Sequence, residues 1–377
     1  MDNKSLKVTE KIIFDGYKGW ENNGITYRLA CGPWIVQAPN GDLLCNWLTG
    51  SDNEPSTDNC TVMIRSTDNG MTWSEPEMLV PTSEKGNGSA WIFNIGESLV
   101  MFAATWPLEY KYTVWNFERK ESFDNGKTWS EAKPVQIIDK DGYSAVLSQL
   151  IRKADGQNLF CIGTFLQRKE HLKASVENLV YAKSEEEAEN MPPMKAGETY
   201  PTVFARCKHG CAAAITNDKL DSFQVLGGVD NRPLGLIEPS IIELKSGRLV
   251  MLMRAEWGGF LWRSDSDDGG KTWCDAYCTD IPNPSTMAKL IRVPDGRIVL
   301  IHNNSCGVVG QKPKNRDPLS IWVSNDETES WYIKEDIATG GSLAYPHPMI
   351  RDDGKLVFVY DFDRRTVRYV EVELPEI

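Results

Sequence analysis

Ser66-Thr67-Asp68-Asn69-Gly70-Met71-Thr72-Trp73 is one of three copies of the pattern Ser-x-Asp-x-Gly-x-Thr-Trp in this chain. The others are Ser122-Phe123-Asp124-Asn125-Gly126-Lys127-Thr128-Trp129 and Ser266-Asp267-Asp268-Gly269-Gly270-Lys271-Thr272-Trp273. A decayed fourth copy reads Ser324-Asn325-Asp326-Glu327-Thr328-Glu329-Ser330-Trp331. Recurrence says that one supersecondary unit is used several times. The composition of the pattern predicts a hairpin turn. Ser and Asp side chains hydrogen-bond nearby backbone N–H groups, Gly supplies positive φ, and Trp folds back as an apolar plug. The boxes therefore report on fold, not chemistry.

Working outward, a second repeat keeps the same order. A turn containing Gly precedes a short apolar strand six times, at Gly41, Gly96, Gly156, Gly247, Gly296 and Gly354. The intervals are 55, 60, 91, 49 and 58 residues, and four short strands with turns need roughly 45–60 residues. Near-continuous apolar runs such as Leu249-Val250-Met251-Leu252-Met253 suit strands covered on both faces. The reading is an all-β, six-bladed β-propeller formed by residues 1–377 as one domain. The 91-residue interval leaves room for a long loop or blade extension within about 165–235. The alternating stretch 367–374 and the segment 8–14 both read as strands. Sharing one sheet would close the ring and remove its free edges.

Composition narrows the partners. A net charge of −12 disfavours nucleic acid and anionic membrane surfaces, and no run of 18 apolar residues occurs. The nine cysteines are odd in number and scattered, as in a reduced cytoplasmic protein. The first residues lead into no apolar segment, which fits the same expectation. Four scattered His without HxxxH spacing, and no P-loop or dinucleotide fingerprint, predict neither metal nor cofactor.

The boxes and the Gly-strand repeats, in this order, resemble the sialidase (neuraminidase) superfamily of six-bladed propellers with Asp-boxes. The likeness is strongest in Ile237-Glu238-Pro239-Ser240-Ile241 through Met253-Arg254, in Arg316-Asp317-Pro318-Leu319-Ser320 and in Ala344-Tyr345-Pro346. It implies a glycoside hydrolase acting on a terminal, anionic sugar, without a cofactor. Arginines would clamp the sugar's carboxylate with their planar forks. A tyrosine activated by a glutamate would be the nucleophile, since a neutral phenol approaches an anionic sugar with less repulsion than a carboxylate.

Carried over by position, Tyr345 matches the nucleophile and Glu238 its activating base. Arg254 and Arg316 match two clamp arginines. The acid/base aspartate falls in the polar loop before the first box, where Asp58 is preferred and Asp52 is the alternative. The frame of the remaining clamp arginine reads Cys31-Gly32-Pro33, with Cys where Arg is expected; Arg28, three residues earlier, is the substitute considered. His347, two residues after Tyr345, is a further candidate as a group titrating near neutral pH. His302, Asn303 and Asn304 at a strand end are candidates for sugar hydroxyls. Asp361 and Asp363 with Arg364, Arg365 and Arg368 follow the last blade strand as further lining groups. Trp34, Trp91, Trp106, Trp115 and Trp257 are candidates for stacking on a sugar face. The departure at Cys31 keeps open a propeller acting on rhamnose- or uronate-containing glycans, as glycosidase or lyase, and a non-catalytic carbohydrate-binding propeller.

Overall fold

The near-continuous apolar runs after each glycine turn become second strands that are buried over most of their length. In Leu43–Thr49 and Ile298–Asn303 every residue is buried. The computed structural model describes residues 5–54, 56, 58–82, 85–107, 116–139, 145–164, 210–230, 235–256, 259–306 and 316–376. Most of the expected extension at 165–235 lies outside them, as do Trp115 and Trp257 and the side chain of Trp106.

Six four-stranded antiparallel sheets form the blades. The first is Cys31–Gln37, Leu43–Thr49, Cys60–Ser66 and Glu77–Val80. The fourth is Leu236–Glu243, Leu249–Ala255, Gly259–Ser266 and Tyr277–Asn283. The fifth is Lys289–Arg292, Ile298–Asn303, Leu319–Ser324 and Ile333–Ala338. In the sixth, Leu343–Ile350, Leu356–Phe362 and Thr366–Glu373 take their fourth strand, Lys7–Asp15, from the N-terminal end of the chain. That strand runs antiparallel to Thr366–Glu373, from Lys7 opposite Glu373 to Asp15 opposite Thr366. It covers the edge that Thr366–Glu373 would otherwise expose and completes the last blade as its outermost strand. The inner strand of the sixth blade packs against that of the first, which closes the ring. Between the blades lie apolar layers; one joins Ile35, Trp47 and Ile64 of the first blade to Val357, Val359 and Tyr369 of the sixth.

The boxes connect third and fourth strands. In the first, Ser66 Oγ accepts from the Gly70 N–H at 2.8 Å. Asp68 accepts from the Thr72 N–H at 2.8 Å and from its hydroxyl at 2.6 Å. The Trp73 indole donates to the Gly70 carbonyl at 3.2 Å. The same Ser and Asp bonds hold the decayed copy, where Ser330 replaces Thr and Thr328 takes the glycine position at φ 76°. The turn has therefore outlasted its sequence signature.

Candidate functional site

The inner strands begin with an irregularity that decides where side chains point. Register slips by one residue between Cys31 and Trp34, between Ile237 and Ser240, and between Ala344 and His347. Each slip holds a residue with left-handed backbone followed by proline: Gly32 (φ 58°) before Pro33, Glu238 (φ 47°) before Pro239, and Tyr345 (φ 54°) before Pro346. A β-bulge re-aims a side chain. For a tyrosine or glutamate the left-handed conformation costs about 1–2 kcal/mol. Two non-glycine residues carry that strain at corresponding places in two blades, and they are the two that the sequence resemblance matches to a nucleophile and its activating base.

Their surroundings join the blades. Glu238 accepts a hydrogen bond from Arg254 at 2.6 Å. Arg254 lies near the end of the second strand of the same blade, opposite Ile237. Its Nε donates to Ser285 Oγ at 3.0 Å, and Nη2 lies 3.6 Å from Glu256. The Arg316 guanidinium stands 5.5 Å from the centre of the Tyr345 ring. The Glu238 carboxylate, followed by burial, pushes the Tyr345 phenol up from its ordinary value; Arg316, Arg254 and Arg364 pull the other way. One phenol thus stands in the field of one carboxylate and three guanidinium groups.

Arg364 is the cation on the first-blade side. It belongs to the two-residue turn Asp363-Arg364, left-handed at both positions (φ 55° and 53°). Its carbonyl accepts from the Ala30 N–H at 2.9 Å, which ties the turn to the start of the first blade. Its side chain donates to Glu54 at 2.7 Å. The Cys31 thiol lies between these groups. Burial first, then Glu54, push it well above its ordinary value, with Arg364 opposing. Cys31, Leu29 and Leu48 form an apolar floor against which Tyr345 packs.

Repeats of the box type and six blades point to one family, and its model, described as a BNR repeat-like domain, matches residues 41–358. The chain belongs to this family. The fold is also seen in solved structures that resemble the chain. A protein of unknown function from Dyadobacter fermentans superposes with TM-score 0.71 at 16% identity, over 98% of this chain and 99% of that one. The Trypanosoma rangeli sialidase, solved with 2,3-difluorosialic acid as a covalent intermediate, gives 0.65 at 15% identity, over 97% and 59%. The Penicillium chrysogenum α-L-arabinanase complexed with arabinobiose gives 0.59 at 15% identity, over 97% of each. No curated protein matches the chain.

Within this BNR propeller, Tyr345, Glu238, Arg254 and Arg316 come together. Asp58 lies in the loop of the first blade between Leu43–Thr49 and Cys60–Ser66, on the rim where its inner strand starts. It accepts from the Ser51 N–H at 2.8 Å. Burial works to raise its pKa, but hydrogen bonds from Ser51 and Ser56 outweigh burial and hold it below the usual range. Asp52, the alternative, is exposed and paired with Arg365 at 3.0 Å.

Two expectations need correction. Arg28 is exposed, and its side-chain stem runs beside Gly19, outside the group around Tyr345; Arg364 holds the place considered for it. His347 lies beyond the bulge, in an axial channel of about 790 Å³ lined by the inner strands. It stacks on Trp34 with ring centres 3.5 Å apart and accepts from the Ile35 N–H at 3.2 Å. Burial, then the nearby Lys289, push it well below its ordinary value, so it stays neutral.

His302 and Asn303 are also buried, not offered to a sugar. Asn303 donates to the carbonyls of Arg316 (2.7 Å), Pro318 (3.1 Å) and Leu343 (3.1 Å). It ties the loop of Arg316 to the strand of Tyr345. Replacing it by alanine leaves those buried carbonyls short of donors. We expect Asn303→Ala to lower unfolding free energy by about 1–3 kcal/mol. Substrate KM should rise more than kcat falls, which denaturant melts and steady-state kinetics would read.

Proposed function

We propose that this chain is a retaining glycoside hydrolase that removes a terminal sugar bearing an acid group. The observation that carries the reading is the convergence of Tyr345 and Glu238, both strained at inner-strand bulges, with Arg254, Arg316 and Arg364. In the first step the Tyr345 oxygen forms a bond to the anomeric carbon while its proton passes to Glu238. The glycosidic C–O bond breaks, and its oxygen takes a proton from Asp58, which must first be charged with one in the substrate complex. Water then attacks the anomeric carbon and gives a proton back to Asp58; the bond from that carbon to the Tyr345 oxygen breaks, and Glu238 returns the proton to the departing phenolate. The arginines hold the sugar's carboxylate in a bidentate or bridging grip. We also infer a reducing compartment, a reading supported by Cys31, Cys45, Cys60 and Cys161, which are buried as free thiols in different strands.

A second reading is favoured by Cys31. Glu54 and Glu238 already occupy Arg364 and Arg254, and the first-blade floor is apolar. Such a site suits a glycan richer in deoxy or neutral sugars. A panel of fluorogenic sialosides, uronides, rhamnosides and arabinosides separates the two. Turnover confined to the acid sugars, with the first-released anomer retained and activity lost in Glu238→Gln, supports the first reading. Turnover of neutral or deoxy sugars alone supports the second.

A further inference from the structure

The strand end that carries Arg254 in the fourth blade carries a different residue in each of its counterparts. Arg254 lies opposite Ile237, the residue before the left-handed Glu238. In the first blade the residue opposite Cys31 is Leu48, and in the sixth the residue opposite Ala344 is Asp361. Asp361 is fully buried. One oxygen accepts from the Gly32 N–H at 3.1 Å, at the bulge where the first clamp arginine was expected. The other oxygen, also buried, has no hydrogen-bond partner among the described residues. A carboxylate in that position lacks half of its solvation. A carboxylic acid there places a proton on the bare oxygen.

The groups facing Asp361 come from three directions. Arg364 stands on the adjoining turn of its own blade, Cys31 and Gly32 on the first inner strand, Glu54 on the first-blade loop, and Arg316 on the loop of the fifth blade. Glu54 already takes the Arg364 charge at 2.7 Å. Arg316 is therefore the cation least committed to a protein carboxylate in this group.

Resting on the clamp reading above, we propose that Asp361 takes up a proton when an acid ligand engages the arginines, which makes it a specificity-determining residue that neutral sugars do not call upon. A ligand carboxylate on Arg316 and Arg364 adds negative charge beside Asp361 and draws on the cations that favour its ionised form. Burial, the largest influence, already lifts Asp361 to about 7, against the pull of Arg364, the Gly32 amide and Arg316. Near neutral pH the free site is thus poised between its two states, and bound anion shifts it to the acid. Uptake on binding fixes the sign: affinity for an acid sugar is full below about pH 7 and falls as pH rises, by up to about tenfold per unit.

The test is isothermal titration calorimetry of the whole chain with N-acetylneuraminate and with glucuronate. It is run near pH 7.5 in two buffers of different ionisation heat, with N-acetylmannosamine as the neutral control. With the free site at about 7, the wild type at pH 7.5 should take up roughly three-quarters of a proton with an acid and none with the neutral sugar. Asp361→Asn keeps an acceptor for Gly32 and fits the same space. It should bind the acids without proton uptake, with affinity flat between about pH 6 and 8. Uptake that survives in Asp361→Asn, or that disappears in Asp58→Asn instead, overturns the proposal. So does the absence of uptake in the wild type, or of any acid binding at millimolar concentration. Hydrolysis is scored separately: turnover of acid glycosides without proton uptake sinks the coupling and leaves the hydrolase reading intact. Uptake without turnover does the reverse. A ligand-free control reads Asp361 directly. Its raised folded value means that the wild type should lose stability relative to Asp361→Asn as pH rises from about 4 through 7.

Discussion

Tyr345→Phe should lower kcat by on the order of a thousandfold or more on whichever glycoside the wild type hydrolyses, while KM stays within a few-fold. The substitution removes one oxygen and leaves the ring. That ring still packs on Leu29, Cys31 and Leu48 and still faces Arg316. The left-handed backbone at φ 54° is set by the bulge and by Pro346, so phenylalanine meets the same strain and the fold should hold. The lost oxygen is the one that forms the covalent bond in the proposed mechanism. A retained melting temperature and retained affinity for the free sugar acid separate this result from general disruption. A Tyr345→Phe enzyme that keeps most of its kcat would remove the tyrosine from the chemistry.

The second large effect concerns closure. Deleting residues 1–15 should destabilise the chain by at least about 5 kcal/mol, abolish cooperative melting and promote aggregation. The deleted strand fills the outer edge of the last blade from Lys7 to Asp15. The deleted segment also buries Leu6 and Phe14, the latter 4.7 Å from the fully buried Trp47 of the first blade. Its Glu10 accepts from Tyr360 and Arg368. Without it, Thr366–Glu373 becomes a naked edge, and the neighbouring turn that carries Arg364 loses its backing. Phe14→Ala is the milder test, with a loss of about 3–5 kcal/mol. Unchanged thermal melting of the deletion would show that the ring does not depend on this strand.

The blades are legible in the sequence because their code is local. A glycine turn with its apolar run recurs six times and the eight-residue box four times, and each repeat is self-contained. Glu238, Arg254 and Tyr345 are legible for a similar reason: each sits within a few residues of a proline or a strand end that marks its frame. Arg364 stands out in the sequence only as one of several charged residues after the last strand. Its role arises from closure, which brings residue 364 against residues 30 and 54, and no local pattern encodes that meeting. Arg28 misleads because spacing along the chain does not reveal the small hairpin of Trp20–Asn22 and Ile25–Tyr27 that precedes it. His347 misleads because strict alternation puts it on the face of Tyr345, whereas the register slip between Ala344 and His347 breaks the alternation. The bulge that positions Tyr345 is the same feature that removes the histidine.

The most direct measurement is to trap the first step. The protein is incubated with a fluorinated, slowly turned-over donor of the sugar it hydrolyses, then digested and examined by mass spectrometry. The account predicts one added sugar on the peptide containing Tyr345, absent in Tyr345→Phe and much slower to form in Glu238→Gln. An adduct on Asp58 or another carboxylate, or hydrolysis of the parent glycoside with no adduct on Tyr345, would contradict it.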